Sequence, residues 1–135
     1  MAELARFLLV EDDMDTRLLV RHTFRRHAIE NPLEEAGSGN EALVRLLDAT
    51  APAVDVVLLD QGLPDIAGLD VAARMLAEPR LAGIAVFLFS GHGAAALGPN
   101  PPANVKGALE KPLDVGALLR LLKRHTRMTT AIRRA

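Results

Sequence analysis

The chain has 135 residues, half of them apolar and 24% charged, with a formal net charge of -1. This is enough for one domain with a buried core, and its charge balance excludes a protein that grips nucleic acid or a membrane surface by bulk electrostatics. With no Cys there is neither a disulfide framework nor a thiolate metal site, and with four Phe, no Tyr and no Trp there is no platform for stacking bases.

No apolar run approaches the ~20 residues of a membrane span, and no basic stretch leads into a signal core, so a cytoplasmic protein is expected, with no membrane partner. Arg6 to Val10 is a short apolar strand that stops at Glu11, Asp12 and Asp13. Three adjacent carboxylates repel one another unless a cation relieves them. Alternatively they open a helix, where acids favour the dipole, with Asp13 or Asp15 as N-cap and Asp15 having no other role. From Thr16 to His27, Leu18, Leu19, Thr23 and Phe24 recur at helical spacing among arginines, giving an amphipathic helix with a basic outer face. His22 and His27 have no metal-ligand pattern around them and read as solvated side chains. Leu33 to Ala36 is a weak second strand. Gly37, Ser38 and Gly39 then turn into a helix from about Asn40 to Ala49, with Ala42, Leu43, Leu46 and Leu47 inward.

Val54 to Leu59 is an apolar, β-branched run, the pattern of a strand buried on both faces of a parallel sheet, and it ends on Asp60. Asp60 is either a turn residue or a carboxylate placed in the crevice at the strand's carboxyl end. Gly62, Pro64 and Gly68 turn the chain into a third helix carrying Leu69, Val71, Ala72, Met75 and Leu76, closed by Pro79. Ile84 to Phe89 is a fourth strand ending at Ser90 and Gly91. The stretch 93 to 107, with Gly98, Pro99, Pro101 and Pro102, holds apolar residues for about one turn of helix, so a regular helix is not expected there. Gly107 to Glu110 is a short fifth strand. Lys111 and Pro112 follow, and Asp114 caps a last helix whose Val115, Leu118, Leu119 and Leu122 face the sheet. Beyond it, residues 127 to 135 form a basic tail that reads as solvated; Met1 and this tail suit a stand-alone chain slightly better than a piece of a larger protein.

Alternating strands and helices imply an α/β fold: a five-stranded parallel sheet with right-handed crossovers and helices on both faces, the fourth helix short or irregular. In a 2-1-3-4-5 order the switch point falls between the first and third strands, which sets Glu11 and Asp12 beside Asp60, with Ser90 and Lys111 at the next strand ends. Glu11, Asp12 and Asp60 offer only oxygen, a donor set for a hard ion such as Mg2+. Such an ion and the Lys111 ammonium would cancel the charge of the three acids. A phosphoryl group attacked by Asp60 would then find partners for its peripheral oxygens in the metal, Lys111 and the Ser90 hydroxyl.

The motifs LLVEDD at 8 to 13, LLDQGLPDIAG at 58 to 68, LFSG at 88 to 91 and EKP at 110 to 112 resemble those of the receiver domain of bacterial two-component response regulators, the CheY-like fold. The resemblance covers about residues 5 to 126. It implies that Glu11 and Asp12 form the acidic pocket, Asp60 is the phosphoacceptor, the Gly62 backbone carbonyl is a further Mg2+ ligand, Ser90 is the switch hydroxyl and Lys111 contacts the phosphate. It also implies a cis peptide before Pro112. Its partners would be a histidine kinase or phosphotransfer protein and a downstream protein target that the sequence does not name. Direct DNA binding is not expected, a weak homodimer is allowed, and the only chemistry is self-phosphorylation and autodephosphorylation. The sequence departs from the family at Ala108, where an aromatic ring usually stands, at Gly91 in place of the common Ala, and in the Pro-rich stretch in place of a fourth helix. The signal is therefore expected as a change of order or position of residues 92 to 106. His92 is a candidate for shaping the path of the hydrolytic water.

The other readings are a pseudo-receiver that binds partners without phosphorylation, a haloacid-dehalogenase-like phosphohydrolase, and a flavodoxin-like cofactor protein. The phosphohydrolase wants a D-x-D motif where this chain has Gly62. The flavodoxin-like protein wants a phosphate loop where this chain has acids.

Overall fold

The structure is a computed structural model that describes residues 4–125 and 133. Its centre is one parallel sheet in the order β2-β1-β3-β4-β5, with β1 (Phe7–Val10), β2 (Leu33–Ala36), β3 (Val56–Leu59), β4 (Ala85–Ser90) and β5 (Val105–Glu110). Every residue of β1, β3 and β4 is buried, as the unbroken apolar runs require of strands covered on both faces. The edge strand β2 is only half-buried. It carries Glu34 and Glu35, whose side chains take opposite faces: Glu34 pairs with Arg6 at 3.0 Å and Arg45 at 2.7 Å, Glu35 with Arg21 at 2.8 Å and Arg17 at 3.4 Å.

Helices α2 (Gly39–Leu47) and α3 (Gly68–Ala77) cover one face with a core that includes Leu8, Val10, Val57, Leu59, Val86 and Leu88. Helices α1 (Met14–Arg26) and α4 (Val115–His125) cover the other, over Phe7, Leu9, Leu58, Phe87 and Phe89. Phe24 meets Phe7 edge-on, ring centres 5.5 Å apart. Between β4 and β5 there is no fourth long helix, only a 3-10 turn, Gly93–Leu97, as the prolines and glycines foretell.

Helix faces and strand ends differ from the periodicity in several places. In α1 the buried line is Val20 and Phe24, one turn apart, while Leu18 and Leu19 are 56% and 59% exposed. The helix lies on the sheet along the Phe24–Phe7 contact, which turns both leucines outward. Leu47 of α2 is likewise exposed, and Leu119 of α4 is half-buried, with Leu121 taking its place against Gly107. β3 starts two residues later than its apolar run and β5 starts at Val105, ahead of Gly107, because the ladder with β4 begins at Val86–Val105 and then shifts register. Of the basic segment 127 to 135, only Arg133 lies within the described residues. It pairs with Glu30 at 2.6 Å, and its backbone N–H donates to the Asn31 side chain. Among the described residues no helix is long and apolar enough to cross a membrane.

Candidate functional site

The strand ladder brings the acids together. Val10 stands opposite Leu59 in the β1–β3 register, and the ladder runs one step further: the Asp60 N–H donates to the Val10 carbonyl at 3.0 Å and the Glu11 N–H to that of Ala36 at 2.9 Å. Glu11 and Asp60 therefore leave adjacent strands at the same height. With Asp12 they form a cluster in which one carboxylate oxygen from each lies within 4.8 Å of the others. The three differ in exposure. Glu11 is buried, Asp60 half-buried and Asp12 exposed, so the group opens from the sheet towards solvent on Asp12's side.

Lys111 closes the cluster from the position just after β5. Its ammonium donates to Glu11 in a short ion pair, lies 3.4 Å from Asp60, and sits 5.4 Å from the centre of the Phe89 ring. The peptide between Lys111 and Pro112 is cis, as the resemblance implies. Burial pulls the Lys111 pKa down, but the hydrogen bond to Glu11 and the charges of Asp60 and Glu11 outweigh it and hold it above its ordinary value. Burial likewise pushes the Glu11 carboxyl up, against the hydrogen bonds it accepts from Lys111 and the Asp13 amide. The buried Glu11 carboxylate and the partly exposed Lys111 ammonium are thus an ion pair at the carboxyl edge of the sheet, facing the solvent side of the cluster.

Ser90 is buried at the end of β4, where its hydroxyl oxygen accepts the His92 N–H at 3.1 Å and its carbonyl accepts the Lys111 N–H at 3.0 Å. Ser90, Asp60, Gly62 and His92 line one open cavity of about 550 Å³, floored by the small residues Gly91, Ala95 and Ala96. Gly62 is exposed, and nothing would crowd a side chain there. Ala108 lies opposite Leu88 in the ladder and is half-buried against the α2–α3 core, beside Ala96 and Leu97 of the 3-10 turn.

Four residues around the site carry contacts outside the motif chemistry, and of these the sequence reading singled out only Asp13. Asp13, weighed with Asp15 as a cap, is the N-cap of α1: its carboxylate accepts from the Thr16 N–H at 3.1 Å and from the Thr16 hydroxyl, which holds its pKa below the ordinary range. Arg17, taken only as part of a basic face, donates to the Glu11 carbonyl at 2.8 Å. Gln61 and Asp65 hold the loop after Asp60. The signal for Gln61 is the absence of a capping side chain at Ala67, which leaves α3 to find its acceptors elsewhere. Of the histidines, His22 is exposed and His27 half-buried.

The chain matches the response regulator receiver domain over residues 7–123. It is 32% identical over 110 residues to the transcriptional activator protein ExaE of Pseudomonas putida, covering 82% of this chain and 44% of that protein. It is 33% identical over 73 residues to the two-component response regulator ORR41 of Oryza sativa subsp. japonica, covering 54% of this chain and 57% of that one. The chain thus spans about half the length of these relatives. Its fold resembles that of the bacteriophytochrome response regulator AtBRR, with a TM-score of 0.74 at 24% identity over 90% of this chain and 92% of that one. It also resembles chemotaxis response regulator CheY4 of Vibrio cholerae, with a TM-score of 0.67 at 24% identity over 90% and 98%. Sheet order, acidic cluster and the length of the match agree: the chain belongs to the response regulator receiver domain family, the domain of two-component signalling.

Proposed function

We propose that this receiver takes a phosphoryl group on Asp60 from the phosphohistidine of a histidine kinase or phosphotransfer protein, and that the aspartyl phosphate changes which protein the domain binds. The observation that carries this reading is the Lys111 ammonium held against both Glu11 and Asp60, next to a cavity that Asp60 shares with Ser90. The acid cluster is an all-oxygen donor set of the kind a hard divalent ion takes, so Glu11, Asp12, Asp60 and the Gly62 carbonyl would hold Mg2+. The ion's chemistry would be neutralisation of charge on the phosphoryl oxygens.

In the transfer, one Asp60 oxygen attacks phosphorus as the P–N bond to the donor's imidazole breaks, and the imidazole leaves with the bonding pair and takes a proton. Lys111 need move only slightly from Asp60 to meet a phosphoryl oxygen. The Ser90 hydroxyl, already oriented by the His92 amide, donates to another. Drawing Ser90 towards the phosphoryl group pulls on the segment that follows it, so residues 92 to 106 carry the signal. Hydrolysis of the acyl phosphate by water resets the domain, which needs no separate active site, and His92, which lines the same cavity, would shape the path of that water.

The test is NMR of the labelled protein titrated with Mg2+ and then beryllofluoride, for wild type and Asp60→Asn. Binding in slow exchange that needs both Mg2+ and Asp60, with shifts centred on Ser90 and residues 92 to 111, is the expected result. A folded wild type that binds neither ion nor beryllofluoride overturns the reading in favour of a phosphorylation-independent interaction module.

A further inference from the structure

The loop that carries Asp60 and Gly62 is fastened at two points by side chains that have no part in the chemistry. Helix α3 starts with a deficit, because Ala67 at its N-cap has no side-chain oxygen to offer the first free N–H groups. Gln61, seven residues before the helix, supplies both acceptors: its backbone carbonyl takes the Gly68 N–H at 3.0 Å and its side-chain oxygen takes the Leu69 N–H at 2.8 Å. The closure is tight. A Cβ on Gly68 would stand 2.3 Å from the Asp60 carbonyl oxygen and 2.9 Å from the Gln61 Cα, so only glycine lets the helix approach this closely.

The second fastening is Asp65. Its two carboxylate oxygens accept the N–H groups of Gly39 at 2.9 Å and Asn40 at 2.8 Å, so a loop residue caps the start of α2, beside that helix's own cap, Ser38. One oxygen also accepts the Ile66 N–H. The loop is therefore pinned to α3 at Gln61 and to α2 at Asp65. Between the pins lies Gly62, the residue with the greatest backbone freedom, followed by Leu63, packed against the core. Three successive carbonyls tell the same story: that of Asp60 is pressed on Gly68, that of Gln61 is bound by it, and that of Gly62 hangs from the peptide so fixed.

We infer that Gln61 is a positioning residue for the metal site, its side chain holding the Gly62 carbonyl in register with the carboxylates by tying residue 61 to the start of α3, with Asp65 as the outer anchor. This rests on the proposed Mg2+ reading of the site. An unpinned Gly62 would have to be ordered at the moment of ion binding, and the loss appears as weaker affinity, as for other groups that orient metal ligands.

Two variants separate acceptor from bulk. Gln61→Met keeps the length and loses the acceptor; Gln61→Glu keeps an acceptor facing Leu69. Each would be titrated with Mg2+ by NMR, and the hydrogen exchange of the Leu69 amide would be measured without metal. The expected result is that Gln61→Met exposes the Leu69 amide and weakens Mg2+ binding about tenfold, the low end for loss of a ligand-orienting partner, while Gln61→Glu preserves both. Unchanged Mg2+ affinity in Gln61→Met with an exposed Leu69 amide would reduce Gln61 to a helix cap and overturn the inference. So would a Leu69 amide equally protected in all three proteins. If wild type binds no Mg2+, the reading of the site fails with it, a result distinct from a wild type and a Gln61→Met variant that bind alike.

Discussion

The two edges of the sheet are held in opposite ways. At the β2 edge, Glu34 and Glu35 are gripped by four arginines, Arg6 just before β1 and the others from α1 and α2, one acid on each face. At the β5 edge, charge is nearly absent from the covering segment: from Gly91 to Val105 there is no Asp, Glu, Lys or Arg. One face there is roofed by the eleven residues of α4, with Val115, Leu118 and Leu122 buried. The other has a five-residue 3-10 turn, whose Ala96 and Leu97 are only partly buried on Val105 and Ala108. A stiffly paired edge on the Glu11 side of the site and a thinly covered one beginning at Ser90 are what a domain needs if only one region is to move, since mobile segments are those with least buried apolar contact.

Truncation tests the asymmetry most directly. Leu122→Ala empties a fully buried site under α4 and is expected to cost about 3 kcal/mol in urea unfolding, whereas Leu97→Ala under the 3-10 turn should cost no more than about 1 kcal/mol. Equal costs would mean that the thin cover is as firmly seated as α4. Gly98 comes next in size. It stands at φ 66°, ψ -173°, a region that side chains avoid, and nothing lies within 4 Å of where a Cβ would be. Gly98→Ala is therefore a test of backbone strain alone, expected to cost about 2 kcal/mol and to loosen residues 93 to 97 in hydrogen exchange. A neutral effect would show that the turn rearranges freely and that Gly98 does not set its exit.

Much of this was legible in the sequence because parallel strands announce themselves by unbroken apolar runs, and the sheet order places their last residues together. Glu11, Asp12, Asp60, Ser90 and Lys111 could be assembled on that basis, and the prolines after Gly98 argued away a helix that the alternation of elements demanded. Helix facing was harder to read. Leu18, Leu19 and Leu47 are apolar at helical spacing yet exposed, because short helices with apolar residues on more than half their girth are oriented by a single dominant contact such as Phe24 on Phe7. The Gln61 and Asp65 fastenings were hidden for another reason. A cap from eight or 25 residues away leaves no local pattern, and only the missing oxygen at Ala67 hinted at the first.

The β2 edge yields the smallest effects and the sharpest sign. The hydrogen bond from Arg45 first, and then that from Arg6, holds the Glu34 pKa below its ordinary value. A carboxylate depressed in the folded state contributes in full above its unfolded pKa, and the contribution is lost as pH falls through the folded value. Glu34→Gln should thus lower stability by about 1 kcal/mol at pH 7, at the upper end for a partly exposed pair because two arginines converge on it. In unfolding curves taken stepwise down to about pH 3, the gap between variant and wild type should close as Glu34 itself protonates. A gap that stays constant with pH would show that shape and hydrogen bonding, not charge, hold this edge. Arg21→Ala should cost less than about 0.5 kcal/mol, because Arg21 is 45% exposed and Glu35 keeps Arg17. The edge would then owe its firmness to the pairs that cross between elements around Glu34, leaving the outer arginine to solvent.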